Sequence, residues 1–175
     1  MGNIAKLVLV EEDGSPFVAC PVLRRAKNSL PVLWFALFSP EESHSFSLGL
    51  ADGSSQAVPG LWAPLGAAVQ RLPERLALLQ SWLPRELHPY VAEFRQEVES
   101  HAAPRIGLDP AELGLLCEPE DLQSKLTQST GVFETPEPNA VAGLFDVTGL
   151  DFDVNAGRVV RWNERVVEYA LRGFR

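Results

Sequence analysis

Residues 30–38 read Leu-Pro-Val-Leu-Trp-Phe-Ala-Leu-Phe, a run without one polar side chain. Such a segment has no face to give to water, so in any regular conformation it must lie inside the fold. Asn28 and Ser29 are N-cap types, and Pro31 suits a first helical turn, where its missing N–H costs nothing. A buried helix is the expectation. A central β-strand satisfies the same burial, because periodicity cannot separate the two in an all-apolar run. In either form the segment is core and not a site.

A chain of 175 residues supports one sizeable core, so a single α+β domain over residues 1–175 is expected. The longest stretch without polar side chains, Ala57–Val69, is interrupted by Pro59 and Pro64 and falls short of the roughly 20 residues a membrane helix needs. Leu7–Val10 is too short for a secretory apolar region, and Lys6 stands where a myristoylation signal has Ser or Thr. The expected location is cytoplasmic. Cys20 and Cys117 are distant in sequence and sit beside apolar residues, which favours two buried free thiols over a disulfide framework.

Around the apolar run, Lys6–Val10 and Phe17–Leu23 read as a β-hairpin about Asp13-Gly14, the second strand lying at an edge because of Pro16 and Pro21. Arg24, Arg25 and Lys27 read as a solvated linker. Phe46, Leu48 and Leu50 alternate as in a third strand. Leu65, Ala68, Leu72, Leu76 and Leu79 form a helical stripe that Pro73 kinks or divides, and Tyr90, Val91, Phe94 and Val98 form a second. Together they predict an antiparallel αα-hairpin. Asp109-Pro110 marks a helix over Pro110–Leu116, and Glu118-Pro119 another with Leu122 and Leu126 inward. Residues 127–139, with Pro136, Pro138 and Gly131, read as a mobile loop. Leu144–Val154 and Arg158–Trp162 read as a C-terminal hairpin. Asn163 then caps a last helix facing inward through Val166, Val167, Ala170, Leu171 and Phe174. The expected sheet is small and mostly antiparallel, built from the two hairpins and the third strand and packed on the buried helix and the αα-hairpin.

Charge is unevenly placed. The formal net charge is −8, but residues 109–153 carry ten acids and one lysine, while residues 154–175 carry five arginines and two glutamates. A net acidic chain repels phosphate backbones, which argues against nucleic-acid binding. A concentrated acidic surface steers and holds a basic protein; the competing role is plain solubility. The arginines at 158, 161, 165, 172 and 175 admit an anion site, but pairing with the protein's own acids is favoured, as in Glu168 and Arg172 at i,i+4.

Chemistry-bearing motifs are sparse. Asp151, Asp153 and Asn155 alternate like the first half of a calcium loop, yet Gly157 is one place late and Trp162 stands where the bidentate Glu belongs. Phe152 and Val154 between the acids are what a half-buried strand shows. His44, His88 and His101 lack metal-ligand spacing, and no phosphate loop, nucleophile elbow or dinucleotide fingerprint occurs. No cofactor or metal is expected.

The first fifty residues, with a short hairpin, Leu30-Pro31-Val32-Leu33-Trp34-Phe35 and then Ser39-Pro40-Glu41-Glu42, resemble small bacterial proteins of the toxin-immunity type. The resemblance implies a cytoplasmic inhibitor and carries over no catalytic residue. The function expected from charge and resemblance together is a non-catalytic protein that occludes the cleft of a basic toxin or effector domain. Glu134, Glu137, Asp146, Asp151 and Asp153 are its expected partner-binding residues; neither nucleic acid nor membrane is an expected partner. The alternatives are a hydrolase using a carboxylate pair among Asp146, Asp151 and Asp153, and a structural subunit docking through Trp62, Trp82 and Tyr90. Oligomeric state is not legible.

Overall fold

The computed structural model describes residues 4–10, 20–49, 52–110, 112–113, 117–146 and 148–175. The fold is α+β. Strands β1 (Ile4–Val10), β2 (Val22–Lys27), β3 (Ser43–Gly49), β4 (Ser55–Pro64) and β5 (Arg105–Asp109) form an antiparallel sheet in the order β2-β1-β5-β4-β3. Strands β6 (Leu150–Asp153) and β7 (Arg158–Trp162) form a separate two-stranded sheet, so the C-terminal hairpin closes on itself instead of joining the larger one. The helices are α1 (Leu65–Trp82), α2 (His88–Glu99), α3 (Pro119–Gly131), α4 (Pro138–Phe145) and α5 (Val167–Arg172).

The apolar run is helical, but only as a 3-10 helix over Val32–Leu37, with every one of its side chains buried. Prolines set its limits. Pro31 is the cap itself, and Ser39, constrained by Pro40, is extended at φ −99° and ψ 160°. Asn28 and Ser29 do not cap it. Asn28 turns the chain at φ 63°, a left-handed conformation that Asn tolerates better than most residues. The carbonyls at the far end are taken by α1, one turn of which presents two arginines: Arg71 donates to Leu37 O at 3.0 Å, and Arg75 donates to Phe38 O. The segment contacts α1, α3 and α5 and sits in one continuous core with Leu7, Ile106, Leu108 and Leu61 from the sheet.

β2 lies at an edge of the sheet, but it runs from Val22 to Lys27 and so contains neither Pro16 nor Pro21, and Arg24, Arg25 and Lys27 belong to it and not to a linker. The expected turn at Glu11–Ser15, and Phe17–Ala19, lie outside the described residues. β4 and β5, unmarked by the usual strand pattern, join β1 in the sheet's interior. Pro59 is tolerated in β4 because residues 55–60 pair with β3 alone; β5 joins only from Leu61 onward. The expected helix Pro110–Leu116 is not borne out where it is described: Asp109 ends β5, and Leu113 N bonds Pro110 O at 2.8 Å in a turn. Ala111 and residues 114–116 lie outside the described residues. Of residues 127–139, those to Gly131 complete α3 and those from Pro138 begin α4. Near the end of α3 the buried Thr130 hydroxyl is satisfied by donating back to Leu126 O at 2.9 Å. Leu144 and Phe145 close α4 and do not belong to the hairpin. On α5, Val167, Ala170 and Leu171 are buried, whereas Val166 and Phe174 are exposed. Cys20 is buried, but Cys117 is exposed just ahead of α3. No helix is long and apolar enough to cross a membrane among the described residues.

α1 is one helix and not two. Its stripe Leu65, Ala68, Leu72, Leu76, Leu79 and Trp82 is buried, which outweighs the hydrogen bond lost at exposed Pro73. Pro73→Ala is therefore expected to stabilise the protein by about 1–2 kcal/mol, the helical gain being offset in part by a freer unfolded chain. A rise in the thermal midpoint checks this; a fall contradicts it.

Candidate functional site

The five acids singled out in the sequence do not share one environment. Asp151 lies across the hairpin from Arg161, which pairs with its Oδ2 through Nη2 at 2.5 Å and Nε at 2.7 Å. Asp153 Oδ1 accepts the amides of Asn155 at 2.8 Å and Ala156 at 3.0 Å, closing the β6–β7 turn. Both carboxylates thus serve the hairpin. Glu134, after α3, lies 3.5 Å from Arg75. That guanidinium is buried and stacks over Phe133, 5.4 Å from the ring centroid. Burial first, and Arg71 second, lower its pKa, while Glu134, Glu42 and Glu74 act the other way. Arg75 remains a cation.

Glu137 and Asp146 are different. Glu137 occupies the N-cap position of α4 without a side-chain cap bond, and Asp146 the C-cap position; both are exposed. Asp146 borders a groove of about 350 Å³ between α3 and α4, shared with Asp121, Lys125, Gln128 and Asn139. Asp121 and Glu120 stand in the first turn of α3, where the helix dipole favours an acid. Asp146 has no such support from its own helix, whose C-terminal end repels it. Among the described residues, no cation comes within ion-pair distance of Glu118, Glu120, Asp121, Glu137 or Asp146. Glu118, Glu120 and Asp121 read in sequence as a helix opening within the acidic stretch 109–153, because cap chemistry and surface charge use the same residues.

Among the described residues, three of the five C-terminal arginines pair with the protein's own acids: Arg161 with Asp151, and Arg172 and Arg175 chiefly with α2. Arg172 meets Glu93 at 2.5 Å and Glu168 at 2.6 Å, with its guanidinium 5.5 Å from the Tyr90 ring centroid. Its pKa is raised: burial pulls it down, but the hydrogen bonds to Glu168 and Glu93 outweigh that. Arg175 reaches Glu97 at 3.3 Å. Arg24 is no solvated linker. It is 4% exposed, and Glu97 holds it through Nε and Nη2, each at 2.7 Å. The available clue was on the other partner, since Glu93 and Glu97 lie four apart on one face of α2.

α5 is tied to β2 as well. Phe174 exchanges both backbone hydrogen bonds with Arg25, at 2.7 and 2.8 Å, and the Tyr169 hydroxyl bonds the backbone of Lys27. Burial raises the Tyr169 phenol above its ordinary value, against a smaller opposing hydrogen bond from Ser29. The Trp34 indole donates to Arg172 O at 3.0 Å.

His88 lies 3.1 Å from Gln80 O and 3.2 Å from Leu83 O, at the end of α1. Trp82 is buried edge-on to Phe145, and Tyr90 is half-covered, so the expected aromatic patch does not form around them. Among the described residues, no three His, Cys, Asp or Glu side chains converge as metal ligands. No known family model matches the chain, and no characterised protein or solved structure matches it either.

Proposed function

We propose that this chain is a non-catalytic, cytoplasmic binding protein of the toxin-immunity type, which covers the cationic cleft of a basic toxin or effector domain with an acidic surface. One observation carries the reading. On α3, α4 and their ends a set of exposed carboxylates (Glu118, Glu120, Asp121, Glu137 and Asp146) has no cation within ion-pair distance among the described residues, and Asp121 and Asp146 line the α3–α4 groove beside Lys125. A surface like this accelerates encounter with a basic protein and rejects acidic ones. Glu134 flanks it, half-committed to Arg75, while Asp151 and Asp153 are engaged in the hairpin and contribute less.

The test is affinity capture at low salt followed by kinetics on the recovered partner. Glu137→Lys with Asp146→Lys is expected to slow association by about tenfold or more, an effect that shrinks as ionic strength rises. Asp151→Asn should change it far less, since that carboxylate already belongs to Arg161. Failure to recover any basic partner contradicts the proposal, as does a complex indifferent to the double charge reversal.

A further inference from the structure

β2, α2 and the C-terminal residues enclose two open hollows, of about 740 and 570 Å³, that share Arg24, Glu93, Arg172 and Arg175 as a common wall. Four guanidiniums and three carboxylates line them: Arg165 joins the shared arginines, and Glu97 and Glu168 join Glu93. Counting side chains, this concavity on a chain of net charge −8 has one more cation than acid.

The pairing shows where the excess lies. Arg172 takes Glu93 and Glu168, while the single carboxylate of Glu97 is divided between buried Arg24 and Arg175. Arg175 spends only one long hydrogen bond there and is 79% exposed. Among the described residues, the Arg165 guanidinium has no acid partner, and it lines the smaller hollow. A guanidinium carries five donors in a planar fork suited to phosphate and carboxylate oxygens. Two of the four forks therefore keep donors to spare. Beside them stands an exposed ring: Phe174 stacks on Tyr169 at 5.7 Å and 14°, and both line the same hollow.

We propose that the smaller hollow binds a phosphate monoester carried on a flat ring. Arg165 and Arg175 hold the phosphate, and the outer face of Phe174 receives the ring. Arg165, without an acid partner among the described residues, and Arg175, held only by one long bond to Glu97, together suit a dianion better than a single carboxylate. Arg24, held by Glu97, and Arg172, held by Glu93 and Glu168, keep the hollow in shape. This site uses none of the α3–α4 acids, so it stands or falls separately from the partner-binding proposal.

Calorimetric titration of the full chain with phenyl phosphate, inorganic phosphate and benzoate, at low ionic strength, tests it. One-site saturable binding is expected, tightest for phenyl phosphate. Arg165→Gln with Arg175→Gln should weaken it by about tenfold or more, whereas Arg158→Gln, an exposed arginine outside the hollow, should leave it within about twofold. Phe174→Leu should erase the preference for phenyl phosphate over inorganic phosphate. A phosphotyrosine peptide that binds more tightly than phenyl phosphate assigns the group to a protein, and equal binding assigns it to a small molecule; either result supports the site. No saturation by about 10 mM phenyl phosphate, or equal losses in Arg158→Gln and the double variant, overturns it.

Discussion

Gly173→Ala is expected to destabilise the protein by about 3 kcal/mol or more. Gly173 ends α5 at φ 73° and ψ −170°, a region that side chains hardly enter. Strain there is only part of the loss. A Cβ at this position would stand 2.4 Å from Arg25 O and 2.9 Å from Trp34 Cζ2. The carbonyl is fixed by its bond to Phe174 N, and the indole is fully buried. Neither can move aside, so the end of the chain must peel from β2. Urea unfolding gives the loss, and hydrogen exchange at the Arg25 amide, now bonded to Phe174 O, shows where it falls. A loss below about 1 kcal/mol with Arg25 still protected refutes the account.

The second large effect is expected at Glu97. Glu97→Ala leaves Arg24, 4% exposed, with no counter-charge, and removing one partner of such a pair costs about 3–5 kcal/mol. Arg175 also loses its contact, but from an exposed position where an ion pair contributes little. Replacing both buried partners, as Arg24→Met with Glu97→Met, should recover most of the stability, because the double variant no longer buries an unpaired charge. The pair of variants separates two meanings of a buried salt bridge. If the double variant is as unstable as Glu97→Ala, packing and not charge sets the loss.

Pairings of this kind mark where sequence reading stops. The acidic bias of residues 109–153 is plain in the composition, yet which acids remain free is not. Asp151 is spent on Arg161 because a hairpin register places them opposite, and Glu134 is drawn to Arg75 because the fold brings the residues after α3 to that arginine of α1. The same holds for Arg24, which stands in a basic cluster that reads as a linker until Glu97 on α2 meets it. β4 and β5 were illegible for another reason. β5 has five residues with Gly107 in the middle, and β4 carries Pro59, Gly60 and Pro64. Neither segment favours a strand by itself; each becomes one because neighbours on either side complete its ladder. Element starts with strong local chemistry were legible, as at Pro89 in α2 and Glu118-Pro119 before α3.

By itself the sequence determined that residues 30–38 are interior, that the helical stripes of α1 and α2 face the core, and that negative charge concentrates late in the chain. These follow from side-chain chemistry and short-range period, which each segment carries wherever it folds. Only the tertiary structure decided that the apolar run is a 3-10 helix capped by Arg71 and Arg75, that β5 lies at the centre of the sheet, and which charges remain without partners. Those outcomes depend on groups tens of residues apart coming within hydrogen-bond distance, and local pattern carries no record of that.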